Sequence, residues 1–173
     1  MTPEIDAALT SSSLRARDAW TKFYRSDHPA PLIDSSLTVV AIDASNAPTF
    51  GRVACEGFGM PTIFAPILSA SVGRRGWMHY LAMDGDTPAA TAAMFIKDGL
   101  GWLGIEATIR AYRGRGAQTA LIARCLTDGI DAGCTGFVAE TAQDLADRPS
   151  VSSRNFERAG FEVAYQRPNY LPL

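Results

Sequence analysis

Long apolar runs are missing from this chain. None of its 173 residues lie in a stretch that approaches the length of a membrane span. The N-terminus, Met1-Thr2-Pro3-Glu4-Ile5-Asp6, also lacks the basic-then-apolar layout of a signal peptide. Histidine is scarce: His28 and His79 are too few and too far apart for a metal site, and no metal is expected. The three cysteines, Cys55, Cys125 and Cys134, are odd in number and lack metal-like spacing. They read as reduced packing residues of a cytoplasmic protein. Neither sign of charge dominates. A net charge of −2 gives no global signal for nucleic acid or a membrane surface as partner. Two phosphate-binding signatures are absent as well. No Gly-x-x-x-x-Gly-Lys-Ser/Thr run exists, and the one Gly-x-Gly that opens a helix has Thr119 where a dinucleotide fingerprint needs its third glycine.

What remains is an ordinary soluble composition, 47% apolar and 20% charged, sized for one domain. A chain of this length buries about 70% of its unfolded surface, enough for a real core. The informative stretch is 102–131. It begins with an apolar strand pattern, Trp102-Leu103-Gly104-Ile105-Glu106-Ala107-Thr108-Ile109. It continues Arg110-Ala111-Tyr112-Arg113-Gly114-Arg115-Gly116-Ala117-Gln118. Ala117, Leu121, Ile122, Cys125, Leu126 and Ile130 then recur as one stripe of an amphipathic helix. Two glycines at i and i+2 let backbone approach a ligand without a Cβ in the way. The helix start behind them offers free N–H groups and the positive end of a dipole. Strand, glycine turn and helix therefore make a candidate phosphate or pyrophosphate site. Arg110, Arg113 and Arg115 add positive charge at the same spot. A solvated turn is the bland alternative.

Residues 1–36 read as an N-terminal extension. Thr2-Pro3-Glu4 is a helix start with Thr2 as cap, and a strand or second helix over 17–24 would need cover for Trp20, Phe23 and Tyr24. Asp27-His28-Pro29-Ala30-Pro31 is a linker. The domain proper, 37–173, opens with a strand over 37–42, then a helix over 47–57 and a second over 63–72 capped by Thr62. Gly73-Arg74-Arg75-Gly76 reads as a solvated basic loop. Strands over 77–83, 89–97 and 100–109 follow, the last two joined by the Asp98-Gly99 hairpin signal. After the central helix come a strand over 135–141, a short helix capped by Ser150 or Ser152, and a last strand over 161–166. The strands flanking the central helix should be parallel and right-handed, the earlier hairpins antiparallel. The expected class is α/β: a mixed central β-sheet with helices on both faces.

This order, with Arg113-Gly114-Arg115-Gly116-Ala117 after the fourth strand, resembles the GNAT acyltransferases over roughly residues 37–170. Ser153-Arg154-Asn155-Phe156-Glu157-Arg158-Ala159-Gly160-Phe161 looks like that family's C-terminal helix and its Gly-Phe exit. The Arg-Gly-Arg-Gly-Ala-Gln run with a closing Arg-x-x-Asn-Tyr is similar to a bacterial subgroup of unassigned substrate. Some of its members carry a degenerate GNAT-like half upstream, of which 1–36 would be the tail. The resemblance implies acetyl-CoA as donor and a small-molecule amine as acceptor, with a homodimer left open. It places the pyrophosphate on the backbone amides of Arg113, Gly114, Arg115, Gly116, Ala117 and Gln118. The pantetheine arm would pair along Thr108, Ile109 and Arg110, and Ser153 or Asn155 would touch the cofactor from the opposite side. Departures are Gln118, where the family often has a second small residue, and Ala111, where many members have Gln or Arg.

Acetyl transfer needs a base for the amine and profits from an acid for the leaving thiolate. Glu106 is the first candidate base, because a carboxylate inside an apolar strand is costly unless a cleft solvates it or a partner pairs it. Pairing with a nearby arginine is the alternative. Glu140, at the carboxyl end of the next parallel strand, is the second candidate. Many family members have Tyr where Phe156 stands, so Tyr165, Tyr112 or a water would have to serve as acid. An N-acetyltransferase is the expected function. Alternatives are a catalytically inactive CoA-binding protein, degenerate or truncated, and a phosphate-binding module unrelated to CoA.

Overall fold

The computed structural model of the chain describes residues 3–172. Helix α1 spans Pro3–Ser11 and strand β1 Leu14–Ser26. The expected cap Thr2 lies outside the described residues. Next come β2 (Thr38–Ile42), α2 (Ala47–Phe58) and the single turn α3 (Ala65–Leu68). A meander of β3 (Trp77–Asp84), β4 (Thr87–Lys97) and β5 (Leu100–Thr108) follows. Helix α4 (Ala117–Asp131), β6 (Gly136–Ala142), α5 (Val151–Arg158) and β7 (Glu162–Pro172) complete the order. The seven strands form one mixed sheet in the order β2-β3-β4-β5-β6-β1-β7. It has the expected α/β class, with α4 and α5 on one face and α2 on the other.

The sequence pattern explains most of these elements. In α4 the stripe Ala117, Leu121, Ile122, Cys125 and Leu126 is buried. It packs on Leu103 of β5 and Phe137 of β6 in the larger core cluster. Phe50 of α2 builds a second cluster on the opposite face with Val72, Leu81 and Ala93. Gly57 near the end of α2 is there for closeness: a Cβ would stand 2.8 Å from Ala107 Cβ and 2.9 Å from Thr108 N. All three cysteines are free and buried. Ser150 caps α5 by accepting from Ser153 N–H at 3.2 Å.

Three parts differ from the sequence expectation. The helix over 63–72 shrinks to a 3-10 turn and α3, and Pro61, not Thr62, holds the cap position. The chain turns instead through Ser69 to Val72, which seats Val72 in the second cluster. Strand β7 runs to Pro172, well beyond 166. Most consequentially, residues 14–26 are not peripheral. Strand β1 lies inside the sheet, antiparallel to β6 on one side and β7 on the other. Phe23 pairs across with Ala139 and Val163 and stacks on Phe156 at 5.6 Å between centroids. Trp20 and Tyr24, on the opposite face of β1, are exposed. Arg25 is buried and fully employed: it donates to the carbonyls of Ala159, Ser26, His28 and Pro29 at 2.7–2.9 Å. One guanidinium thus ties the end of α5 to the start of the 27–36 linker. That linker returns beneath the glycine turn, where Ser35 Oγ donates to Arg115 O at 3.2 Å.

Candidate functional site

The site begins where two parallel strands stop pairing. β5 and β6 are in register only from Leu100↔Gly136 to Leu103↔Ala139. Beyond that point β6 continues beside β1, and β5 continues beside β4 alone. Past that point the carboxyl end of β5, at Glu106, Ala107 and Thr108, faces α5 across a cleft of about 680 Å³. Open α/β sheets gather ligands at such a place.

A bulge aims β5 into this cleft. Gly104 pairs with Ala93 and Ala107 with Thr91, so three steps on β5 match two on β4. The extra residue is Ile105, whose φ of +52° is unusual for a β-branched side chain. Thr91 Oγ1 holds its carbonyl at 2.9 Å. Simple alternation would place Glu106 with Trp102 and Gly104, on the α2 face. The bulge reverses the alternation and turns Glu106 toward α4.

There Glu106 Oε2 accepts from Gln118 Nε2 at 3.0 Å. Its Oε1 is buried, with no hydrogen-bond partner among the described residues. Burial raises the Glu106 pKa from 4.5 to about 7, against the lowering effect of the Gln118 hydrogen bond. Gln118 Nε2 also donates to Ser152 Oγ at 2.7 Å, and its Oε1 accepts from Asn155 Nδ2 at 2.9 Å.

The glycine turn forms the other wall. Gly114 and Gly116 both have left-handed φ, +78° and +77°. A Cβ at Gly114 would meet nothing within 4 Å among the described residues, and the residue lines the cleft. The first intrahelical bond of α4 runs from Ala120 N–H to Gly116 O at 3.0 Å. The amides of Ala117, Gln118 and Thr119 therefore precede the helical ladder. Arg113 lines the cleft and braces it: Nη2 donates to Gly57 O at 2.9 Å and Nε to Thr108 O at 3.2 Å. An open glycine cradle, free helix-start amides and a cation fit a pyrophosphate.

The cleft brings together Glu106, Thr108, Arg113, Gly114, Gly116, Ala117, Gln118 and Asn155 of the sequence candidates. Others are elsewhere. Arg115 points away, gripping both oxygens of Asp84 at 2.8 Å and stacking on Tyr112. Ile109 is buried and its N–H donates to Ala89 O, and Arg110 is exposed outside the cleft lining. Ser153 is buried behind the cap of α5, and its neighbour Ser152 faces the cleft instead. Glu140 is ion-paired with Lys22 of β1, with Arg167 at 4.0 Å. Tyr165 stands exposed on the edge strand β7, two strands beyond β6. Tyr112 is the tyrosine that lines the cleft. Phe156 is buried between Phe23 and Phe161. The lining is completed by Gly57, Phe58, Ala107, Thr119, Val151, Ser152 and Arg158. Ser152, Asn155 and Arg158 are three apart on α5, a face readable once Ser150 is taken as the cap.

Solved structures share this architecture. A GCN5-related N-acetyltransferase from Sphaerobacter thermophilus superposes with a TM-score of 0.76 over 99% of this chain and 59% of that one, at 17% identity. The chain has the GNAT fold. A GCN5-related N-acetyltransferase from Kribbella flavida gives 0.70 over 97% of this chain and 63% of that one, at 18% identity. A GNAT-family acetyltransferase from Colwellia psychrerythraea gives 0.68 over 97% and 60%, at 15% identity. The chain thus spans less than two thirds of the length of each. No family model and no curated protein matches the sequence. On the GNAT fold, one cleft is lined both by the glycine turn and by Glu106, which the bulge at Ile105 turns toward α4. No helix among the described residues is long and apolar enough to cross a membrane.

Proposed function

We propose that this chain is an acetyl-CoA-dependent N-acetyltransferase acting on the amine of a small acceptor, in the cytoplasm. One observation carries the proposal: a buried carboxylate with one unpartnered oxygen, Glu106, shares a cleft with an open glycine cradle at a helix start. The amides from Gly114 to Thr119 and the Arg113 cation would hold the pyrophosphate, and Thr108 and Asn155 line the path toward Glu106. Acetyl-CoA would supply an acyl thioester as the electrophile. The residues do the proton work. Glu106 Oε1 takes the proton that the acceptor amine loses as its nitrogen forms the amide bond. Tyr112, the tyrosine lining the cleft, gives a proton to the thiolate released when the C–S bond breaks. A group that ionises near pH 7 suits the first role.

A screen of primary amines with acetyl-CoA, read by thiol release, tests this. At least one amine should give saturable release, and Tyr112→Phe should slow it about tenfold or more. The second reading, a CoA-binding protein without turnover, draws on Phe156, buried where the resemblance leads one to expect an acid. Acetyl-CoA binding with no thiol release from any amine would favour it.

A further inference from the structure

Gln118 is more than a residue of the phosphate turn. Its backbone N–H belongs to the helix start, but its side chain leaves the turn and spans three elements. The two Nε2 hydrogens go to Glu106 on β5 and Ser152 on α5. The carbonyl Oε1 accepts from Asn155, also on α5. Asn155 Oδ1 in turn accepts from Arg158 Nη1 at 3.4 Å. Every bond in this chain donates in the same direction, from the exposed guanidinium through two amides to the carboxylate. A flipped Gln118 amide would set its oxygen against the ionised Glu106 and its Nε2 hydrogens against the Asn155 Nδ2 donor. A fixed donor on Oε2 stabilises the charged carboxylate and stops it rotating. It leaves Oε1 as the oxygen without a partner.

We propose that Gln118 is a positioning residue, an amide bridge that holds Glu106 by Oε2 and presents Oε1 to the acceptor amine. The proposal rests on the N-acetyltransferase reading above. The bulge at Ile105 and the bridge act as a pair: one turns the carboxylate toward α4, the other fixes its orientation there. Few other groups compete for control of Glu106. On α4 the nearby titratable group is Cys125, whose thiol burial pushes up. The turn after β5 brings Tyr112 and Arg113 to the cleft, α5 brings Arg158, and α2 brings the uncharged Gly57 and Phe58.

The test reads Glu106 directly. Protein labelled with 13C at the glutamate carboxyls is titrated by NMR, with the Glu106 signal assigned by its absence in Glu106→Gln. In the wild type the signal should titrate near pH 7, and the side-chain amide signals of Gln118 should shift with the same midpoint. In Gln118→Leu, or in Gln118→Met should the leucine variant not fold, the Glu106 midpoint should rise by about one unit. For the same variants kcat should fall about tenfold or more. KM for acetyl-CoA and its calorimetric affinity should stay within about threefold, and the acidic limb of the rate profile should follow the NMR midpoint. Loss of acetyl-CoA affinity equal to the loss of rate would make Gln118 a cofactor contact and overturn the proposal. An unmoved Glu106 midpoint with intact wild-type turnover would overturn it too. A wild type that acetylates no amine would sink the transferase reading, while displaced midpoints would still uphold the carboxylate–amide bridge.

Discussion

Gly114→Ala should lower acetyl-CoA affinity by about a hundredfold or more while leaving a folded protein. The added methyl meets no atom within 4 Å among the described residues beyond its chain neighbours, so its effect falls on whatever the turn binds. The residue lines the cleft at the helix start, where a pyrophosphate would need backbone contact. Stability pays a smaller toll. At φ +78° an alanine costs about 1–2 kcal/mol, and for a domain of this size each kcal/mol is about 2–4 °C of Tm. Gly116 is the poorer probe. A Cβ there would stand 3.4 Å from Asp34 O and 3.5 Å from Ser35 Cβ, so a branched replacement would disturb the linker beneath the turn. Calorimetric titration of Gly114→Ala beside a thermal melt separates the two effects. A variant that melts several degrees lower yet binds acetyl-CoA as the wild type does would remove the turn from the site.

Glu106→Gln should cut kcat by about a hundredfold to ten-thousandfold, with acetyl-CoA affinity unchanged. It should also make the protein more stable at alkaline pH. The folded-state pKa of Glu106 is raised from 4.5 to about 7 by burial. A carboxyl raised in this way favours the folded state fully below its unfolded pKa. That contribution is lost as pH rises through about 7, because ionisation then puts a charge in an apolar setting. A shift of this size corresponds to about 3 kcal/mol by pH 8 or above. Glutamine carries no charge, so the variant's stability should not fall over that window. His79 works in the opposite sense. Burial lowers its pKa to about 4, so its contribution is present above 6.5 and is lost as pH falls through about 4. Denaturant melts of wild type and Glu106→Gln at pH 5 and pH 8 check the sign. Curves that keep the same spacing at both pH values would mean that Glu106 is not held in a buried, proton-retaining state. Lower activity with higher stability is the signature of a group strained for function.

Local patterns in the sequence carried the elements and the turn, because their causes are local. The α4 stripe, the Asp98-Gly99 hairpin and the Ser150 cap each follow from residues a few positions apart. Strand β1 was not legible as part of the sheet, for the opposite reason. Its partners, β6 and β7, lie 110 or more residues away, and its polarity misleads. The buried face carries Arg25, and the exposed face carries Trp20 and Tyr24. Burial of that arginine depends on carbonyls of Ala159 and the linker, which no local pattern encodes. The bulge was equally silent, since an isoleucine gives no hint of a left-handed φ. Glu106 was found as an acid inside an apolar strand, but its turn toward α4 and its bond to Gln118 depend on that bulge. Glu140 was drawn to the site by its place at the carboxyl end of a strand, and Tyr165 only as a stand-in acid for the tyrosine that Phe156 replaces. The inserted β1 then set Tyr165 on the outer edge and supplied Lys22 to pair Glu140.

The most direct measurement is a calorimetric titration of the wild-type protein with acetyl-CoA, with ATP and NAD as controls. Saturable binding of acetyl-CoA alone, lost in Gly114→Ala, is the expected result and would set the glycine turn as a coenzyme A site. Equal binding of ATP, or no binding of acetyl-CoA at all, would contradict it and leave the GNAT fold here without the ligand its cleft is proposed to hold.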